Sequence, residues 1–527
     1  MQDDPLHHHS PAAPPPRRGP WRRTLERWLL ANSLLAGLFA LAWLLLRSGE
    51  RPSRLAYPCQ RAALATATLA LGAPAVAGLV ALRHRLLAAA RSPAVTWRIG
   101  ATVGVVLFAA LAVWSQLSRV EASPTGPVGP LLAAPEDYRA ELFHAAGCGE
   151  NPAGDRFVCL EDLFGLMGRQ GTKIYRSATV APLSGPDGIV GPDDVVVIKI
   201  NYQWSERGGT NTDLLRGLIR VLVSHPDGFT GEIVVAENAQ FAAVSDFDRT
   251  SNNAQVPSLS PHDVVVHFQE LGFAVSQFDW TAVRGSEVSE YSTGDVRDGY
   301  VLYPYDAALH GRISYPKFRT GAGTYVSLRD GIWNPDSATY DRAPLKLVNV
   351  PVLKSHHAVY GATACVKNFM GLVTDSLGTG SHGAIRYGML GAVLGEIRPP
   401  DLNLLDAIWV NGNPNSGPST PYAGATRRDE LVASRDPVAA DLWSVQNILV
   451  PAFLANGYSP PWPAPSADPG DPAGAFRVYL DQSMSRILAA GFPVTNDPAR
   501  IDVYEIAAQF TDDFESGDTT AWSAAMP

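Results

Sequence analysis

The sequence predicts an α/β domain with a mainly parallel sheet and flanking helices, preceded by three transmembrane helices. Three observations carry this expectation. "DDVVVIKI" at 193–200 is an unbroken β-branched run of the kind that parallel sheets bury on both faces. Strand-like and helix-like segments alternate after it, the signature of βαβ construction. Ahead of it, Trp28 to Leu46, Ala62 to Leu82 and Ile99 to Leu117 carry no charged residue and approach the ~20 residues that span hydrocarbon.

Taken in chain order, residues 1–27 are a basic, Pro-rich tail and 28–117 hold the three spans. Three apolar stretches in series do not fit a cleaved export signal, which has one short stretch. Arg17, Arg18, Arg22, Arg23 and Arg27 in the tail, with Arg83, Arg85, Arg91 and Arg98 in the second loop, outnumber Arg47, Arg51, Arg54, Arg61 and Arg119 on the other side. The lipid bilayer is therefore an expected partner, with the amino terminus cytoplasmic and the large domain outside the inner (cell) membrane.

Residues 118–190 read as a linker and juxtamembrane region, opening with the Pro/Gly-rich "EASPTGPVGPLLAAP". Within it Cys148 and Cys159 flank the turn-rich "GENPAGDRFV", where a local disulfide suits an oxidising exterior. No Cys-x-x-Cys pair occurs, so an iron–sulfur cluster or zinc ribbon is not expected.

The α/β domain is placed at 191–455. After "DDVVVIKI", "NTDLLRGLIRVLVSH" has helical spacing with Asn211 or Thr212 as cap, and "GEIVVAE" is the next strand. "SPHDVVVHFQELGF" offers Ser260 as cap and Pro261 at the first helical position, followed by the strand "AVSQF". "LKLVNV", "LNLLDAIWV" and "ELVAS" read as later strands, with a helix opened by Asp436-Pro437. Residues 279–342 break the rhythm and are expected to be an insertion, either a lid or an edge hairpin. Pro451 to Gly474 reads as a surface loop, and 456–527 as a Pro/Ala-rich extension with an acidic tail.

The net charge of −9 gives no basic face, which sets nucleic acid aside as a partner. Lysine is scarce: of 42 basic residues only Lys173, Lys199, Lys317, Lys346, Lys354 and Lys367 are lysines. A compact ammonium of tunable pKa in an apolar segment does work that arginine does not. Ligands of parallel sheets gather beyond the carboxyl ends of strands, where Lys199 to Gln203, Glu237-Asn238 and Lys354 to His357 stand. The expected pocket uses Lys199, Lys354, His356 and His382 as reacting groups, with Asn201, Glu237, Lys367, Asn368 and Asp441 as ligand-binding residues. Lys199 and Lys354 would neutralise an anion, His356 would exchange a proton, and Asn201 with Asn368 would orient the ligand. The bland reading pairs Lys199 and Lys354 with Glu237 or Asp406. A divalent metal on His356 and His382 with Glu237 or Asp406 is conceivable, without His-x-His or His-x-x-x-His spacing to support it. "GTGSHG" at 378–383 matches G-x-G-x-x-G, but no strand feeds it, so it reads as a loop delivering Ser381 and His382.

In order and spacing, "VVIKINYQ", "NTDLLRGLIRVLV", "GEIVVAEN", "NVPVLKSHHAVYGATACVKNFMGLV", "SHG", "LNLLDAIWVNGNPNSGP" and "LVASRDPVAADLW" resemble the domain of unknown function 362 family, from about Asp193 to Trp443. The family motifs fall on Lys199, Asn201, Lys354, His356, Lys367, Asn368, His382, Asp436 and Asp441. The resemblance implies redox or metal association, because some members carry ferredoxin-type cysteine clusters and some look exported. This chain departs from the pattern at Ile200, where a Pro is expected, and in having no cysteine cluster. The tail "DDFESGDTTAWSAAMP" is similar to a short carboxyl-terminal element of exported bacterial proteins. The leading expectation is a membrane-anchored, extracytoplasmic enzyme acting on an anionic small molecule. The alternatives are a non-catalytic binding or scaffold module, or a metal-dependent redox-associated protein.

Overall fold

In the computed structural model, residues 131–149, 154–240, 247–248, 253–356, 360–462 and 466–507 are described. The three expected spans, the leading tail and the acidic tail lie outside these residues. The described residues belong to one compact unit, Ala122–Pro527.

A ten-stranded sheet is the frame. Its strands are β1 (Ala140–Ala146), β2 (Val195–Ile200), β3 (Glu232–Glu237), β4 (Val275–Asp279), β5 (Leu345–Val350), β6 (Val352–His356), β7 (Gly361–Thr363), β8 (Leu402–Asn411), β9 (Thr426–Ser434) and β10 (Ile501–Ala507). The main path runs β10-β1-β9-β8-β5-β2-β3-β4, with β6 beside β8 and β7 beside β6. Five neighbours, β8, β5, β2, β3 and β4, are mutually parallel. β9 runs against both β8 and β1, and β7 against β6.

Helices α1 (Val158–Arg169), α2 (Thr212–Val223) and α3 (Pro261–Glu270) cover one face of the sheet. Helices α4 (Cys365–Asn368), α5 (Met389–Glu396), α6 (Pro437–Ser444), α7 (Val450–Ala455) and α8 (Ala475–Ala489) lie on the other. Strand alternation divides the core accordingly: Val195 and Val197 face one cluster, and Val196, Ile198 and Ile200 the other. This is why β2 is apolar without a break until Lys199. The caps fall where the sequence places them. Asn211 accepts from the amides of Asp213 and Leu214, and Ser260 forms a capping box with Asp263.

Several boundaries differ from expectation. Residues 279–342 hold a five-stranded antiparallel sheet, Gly299–Leu302, Ser314–Arg319, Tyr325–Ser327, Gly331–Asn334 and Thr339–Asp341. It is a fixed layer rather than a loose lid or a single hairpin, because Tyr315, Phe318 and Val326 sink into the main core. The linker region supplies β1 and α1, with Cys148 and Cys159 joined by a disulfide. The carboxyl extension supplies α8 and β10, and β10 pairs in parallel with β1. Pro451 continues a helix instead of starting a loop: it directly follows the π-helical turn Val445–Leu449, where the hydrogen-bond ladder is already shifted and a residue without an N–H is accommodated. One described helix, Pro437–Ala455, is long and apolar enough to cross a bilayer, and more than half of it is buried in the core.

Candidate functional site

The chain order along the sheet reverses at β2: β3 and β4 are added on one side, and β5 on the other. Such switch points leave a crevice beyond the carboxyl ends of the strands, where ligands of open parallel sheets bind. Here Lys199 stands opposite Asn349 of β5, and Asn349 opposite Asn403 of β8. Residues in direct register on parallel strands share a face, so the apolar pattern gives way to a polar row that runs from the carboxyl ends of β2 and β5 to the first residues of β8.

Hydrogen bonds close this row into a network. Asn368 Oδ1 accepts from Lys199 Nζ at 3.0 Å and from Asn201 Nδ2 at 3.0 Å. Asn368 Nδ2 donates to Asn349 Oδ1 at 2.8 Å, and Asn349 Nδ2 to Asn403 Oδ1 at 2.9 Å. Lys354 Nζ donates to Asn201 Oδ1 at 3.0 Å and to the Gly208 carbonyl at 2.5 Å. Thr210 Oγ1 holds the backbone of Asn201 and donates to the Val350 carbonyl, tying the end of β2 to the end of β5. Neighbouring amides that can act as donor and acceptor at once let every buried member be satisfied.

Lys199 Nζ lies 2.5 Å from Glu237 Oε2, a buried ion pair. Burial lowers the Lys199 pKa and pushes Glu237 up to about 7, with their mutual attraction opposing both shifts. Gly371 packs against the pair, and a Cβ there would collide with Lys199 Nζ and both Glu237 carboxylate oxygens.

Lys354 has no carboxylate within ion-pair distance among the described residues. Burial brings it down to about 7; Glu237 opposes the shift, and the Lys367 and Lys199 charges add to it. Lys367 is only 4% exposed. Its ammonium sits 4.6 Å from the Tyr360 ring centroid and has no hydrogen-bond acceptor or paired carboxylate among the described residues. Burial also brings it down to about 7, against the attraction of Asp375.

His356 ends β6 with Nδ1 2.8 Å from Thr363 Oγ1 and its ring edge-on to Tyr360, and burial with the Lys367 and Lys354 charges holds its pKa well below the usual value. His357 lies outside the described residues. His382 pairs through Nδ1 with Asp375, and its carbonyl accepts from Tyr360 Oη at 2.6 Å. Thus Lys199, Asn201, Glu237, Lys354, Lys367 and Asn368 are brought together, and Tyr360 links Lys367 to both histidines.

Two groups of candidate residues have other partners among the described residues. Asp441 partners the backbone rather than a pocket lysine: its carboxylate accepts from the amides of Cys365 at 2.5 Å and Val366 at 3.1 Å, fixing the start of α4. Burial still pushes it up to about 7. Of the suggested metal ligands, Glu237 is engaged by Lys199, His382 by Asp375, and Asp406 Oδ2 by the Asn211 amide at 2.8 Å. Among the described residues, no group of three or more His, Cys, Asp and Glu is placed to hold a metal ion. Asn349, Tyr360, Gly371 and Asp375 were not singled out from sequence. An asparagine inside the apolar "LKLVNV" was the one available signal, since a buried strand rarely carries an amide without a partner.

Residues 345–446 match a family model described as "Domain of unknown function (DUF362)". The chain resembles the DUF362 family. The matched stretch carries Lys354, His356, Lys367, Asn368, His382 and Asp441, whereas Lys199 and Glu237 come from the strands β2 and β3 before it, and Asn201 from the residue that follows β2. No curated protein and no solved structure matches the chain.

Proposed function

We propose that the lysine cluster at the β2/β5 crevice binds a small anion, carboxylate or phosphate, and that the protein is an enzyme that moves a proton on that ligand. The observation that carries this reading is Lys367, a buried ammonium with three N–H donors and no acceptor among the described residues. An unpaired buried cation is costly, and an anion supplies both the charge and the hydrogen bonds it lacks. Lys199, Lys354 and Lys367 repel one another across the crevice, with Glu237, Asp406 and Asp375 offsetting part of that repulsion, and an anion bound among them would hold the ammoniums charged. We further propose that the domain is membrane-anchored and extracytoplasmic. The arginine asymmetry around the three apolar runs and the Cys148–Cys159 disulfide support this.

Thermal unfolding of the full chain with malonate, inorganic phosphate or chloride at matched ionic strength tests the anion reading. A malonate- or phosphate-specific rise in Tm that is lost in Lys367→Met is expected. Equal responses to all three salts, or an undiminished rise in the variant, would leave the cluster as a structural network.

A further inference from the structure

Lys354 stands in the middle of β6 and is buried. Its Nζ donates to Asn201 Oδ1 and to the Gly208 carbonyl, and among the described residues it has no other hydrogen-bond acceptor. An ammonium has three N–H bonds to satisfy and a free amine has two. The cradle therefore matches the free amine and leaves one N–H of the ammonium over. Asn201 is held in this orientation from behind: its Nδ2 donates to Asn368 Oδ1, which also accepts from Lys199, and Asn368 Nδ2 donates to Asn349 Oδ1. The row of amides thus fixes a carbonyl oxygen, not an amide N–H, toward Lys354.

We propose that Lys354 is a nucleophilic amine that forms an imine with the carbonyl carbon of a small oxo acid whose carboxylate is seated at Lys367. The choice of an oxo acid rests on the anion reading of the lysine cluster. The three lysines divide the work by their partners. Lys199 is paired with Glu237 and held by Asn368 and the Ile200 carbonyl, so its charge is already matched. Lys367 has no acceptor among the described residues and takes the carboxylate, which keeps it charged. Lys354 has two neutral acceptors and no paired carboxylate among the described residues. Burial with the Lys367 and Lys199 charges brings it down to about 7, against the attraction of Glu237 and Asp406. About half of it is then free amine at pH 7, against on the order of one part in three thousand for an exposed lysine.

The lone pair of Lys354 Nζ adds to the carbonyl carbon, the carbonyl π pair moves to oxygen, and the C–O bond then breaks. The oxygen leaves as water, with one proton from the nitrogen and one from solvent. The product is a protonated imine with one N–H, for which Asn201 Oδ1 and Gly208 O remain as acceptors. Its positive charge stands where the ammonium stood, and the carboxylate at Lys367 stabilises it. The iminium gives the proton transfer proposed above a place for its electrons: the C–H pair of the adjacent carbon flows to the nitrogen, and the proton is released to solvent. Malonate has no ketone carbonyl, so it fills the same seat without reacting.

Incubating the full-length protein with pyruvate, levulinate or the neutral ketone acetone, reducing with sodium borohydride and mapping labelled lysines by mass spectrometry tests the imine. The expected result is a stable adduct of an oxo acid on Lys354, formed at least about tenfold faster than on the half-buried Lys173. Malonate should suppress it, and Lys354→Met should abolish it. Lys367→Met should slow labelling by the oxo acids. It should also move the pH midpoint of acetone labelling upward, because it removes one of the charges that favour the free amine. If neither oxo acid labels Lys354 faster than Lys173, the imine is overturned, and a malonate-specific rise in Tm in the same preparation leaves the anion reading standing. If acetone labels Lys354 as fast as the oxo acids and malonate does not compete, the nucleophile stands while the anion reading falls, and with it the oxo-acid class. The wild-type map decides the matter whether or not a variant folds.

Discussion

Replacing Lys354 with methionine should stabilise the protein at neutral pH while abolishing its response to malonate. In the folded state Lys354 titrates at about 7 instead of 10.5. That difference corresponds to roughly 4 kcal/mol of native-state cost at pH 7, because the unfolded chain keeps this amine fully protonated there. Methionine matches the aliphatic stem and removes the cost, but strands the acceptors Asn201 Oδ1 and Gly208 O at about 1 kcal/mol each. The expected net gain is roughly 2 kcal/mol, measured by chemical denaturation of the full chain at constant m-value. Its pH dependence is a stricter check. A depressed amine pKa contributes stability that is complete above 10.5 and lost as pH falls through 7, so the advantage of the variant should grow from pH 10.5 down to 7 and then level off. A variant less stable than wild type at pH 7, or a difference that does not change with pH, would refute the assignment of Lys354 as a strained, desolvated cation.

Gly371→Ala should cost roughly 1–3 kcal/mol, because the added methyl meets the Lys199–Glu237 pair where neither side chain has room to withdraw; an unchanged denaturation midpoint would contradict that packing. Asp441→Asn keeps one acceptor but sets an amide donor against a backbone N–H at the start of α4. A loss of roughly 1–3 kcal/mol and a weakened malonate response are expected, since Lys367 and Asn368 ride on that turn. Without ligand, the buried groups should produce a stability minimum near pH 7. Glu237, Asp436 and Asp441, raised to about 7, lose their contribution as pH rises toward 7; Lys354 and Lys367, lowered to about 7, lose theirs as pH falls toward it. Denaturation at pH 5.5, 7 and 9 checks this, and malonate should fill in the minimum.

Much of the fold was legible because the parallel strands are buried on both faces and must be apolar throughout, so β2, β3, β5 and β8 announce themselves. The caps of α2, α3 and α6 were legible because Asn211, Ser260 and Asp436 satisfy amides two or three residues away. Lys199, Lys354 and Lys367 stood out chemically, as lysines in apolar surroundings. The sheet at 299–341 was not legible, since short antiparallel strands rich in Tyr, Asp and Gly resemble loops until a core covers one face. Asp375 was hidden for a similar reason: nothing local to "VTDSLGTG" shows that the chain turns back to meet His382.

The sequence by itself determined the buried parallel strands β2, β3, β5 and β8 and the capped helices α2, α3 and α6, and that the strand ends carry ammonium, amide and imidazole groups. These follow from local periodicity and capping, which act over a few residues. The tertiary structure alone decided the partnerships. Glu237 went to Lys199, Asp441 to two backbone amides, and Asp375 to His382, while Lys367 was left on a tyrosine face. Such choices depend on strand order and on which side chain fills the space first, quantities that no short window of sequence contains.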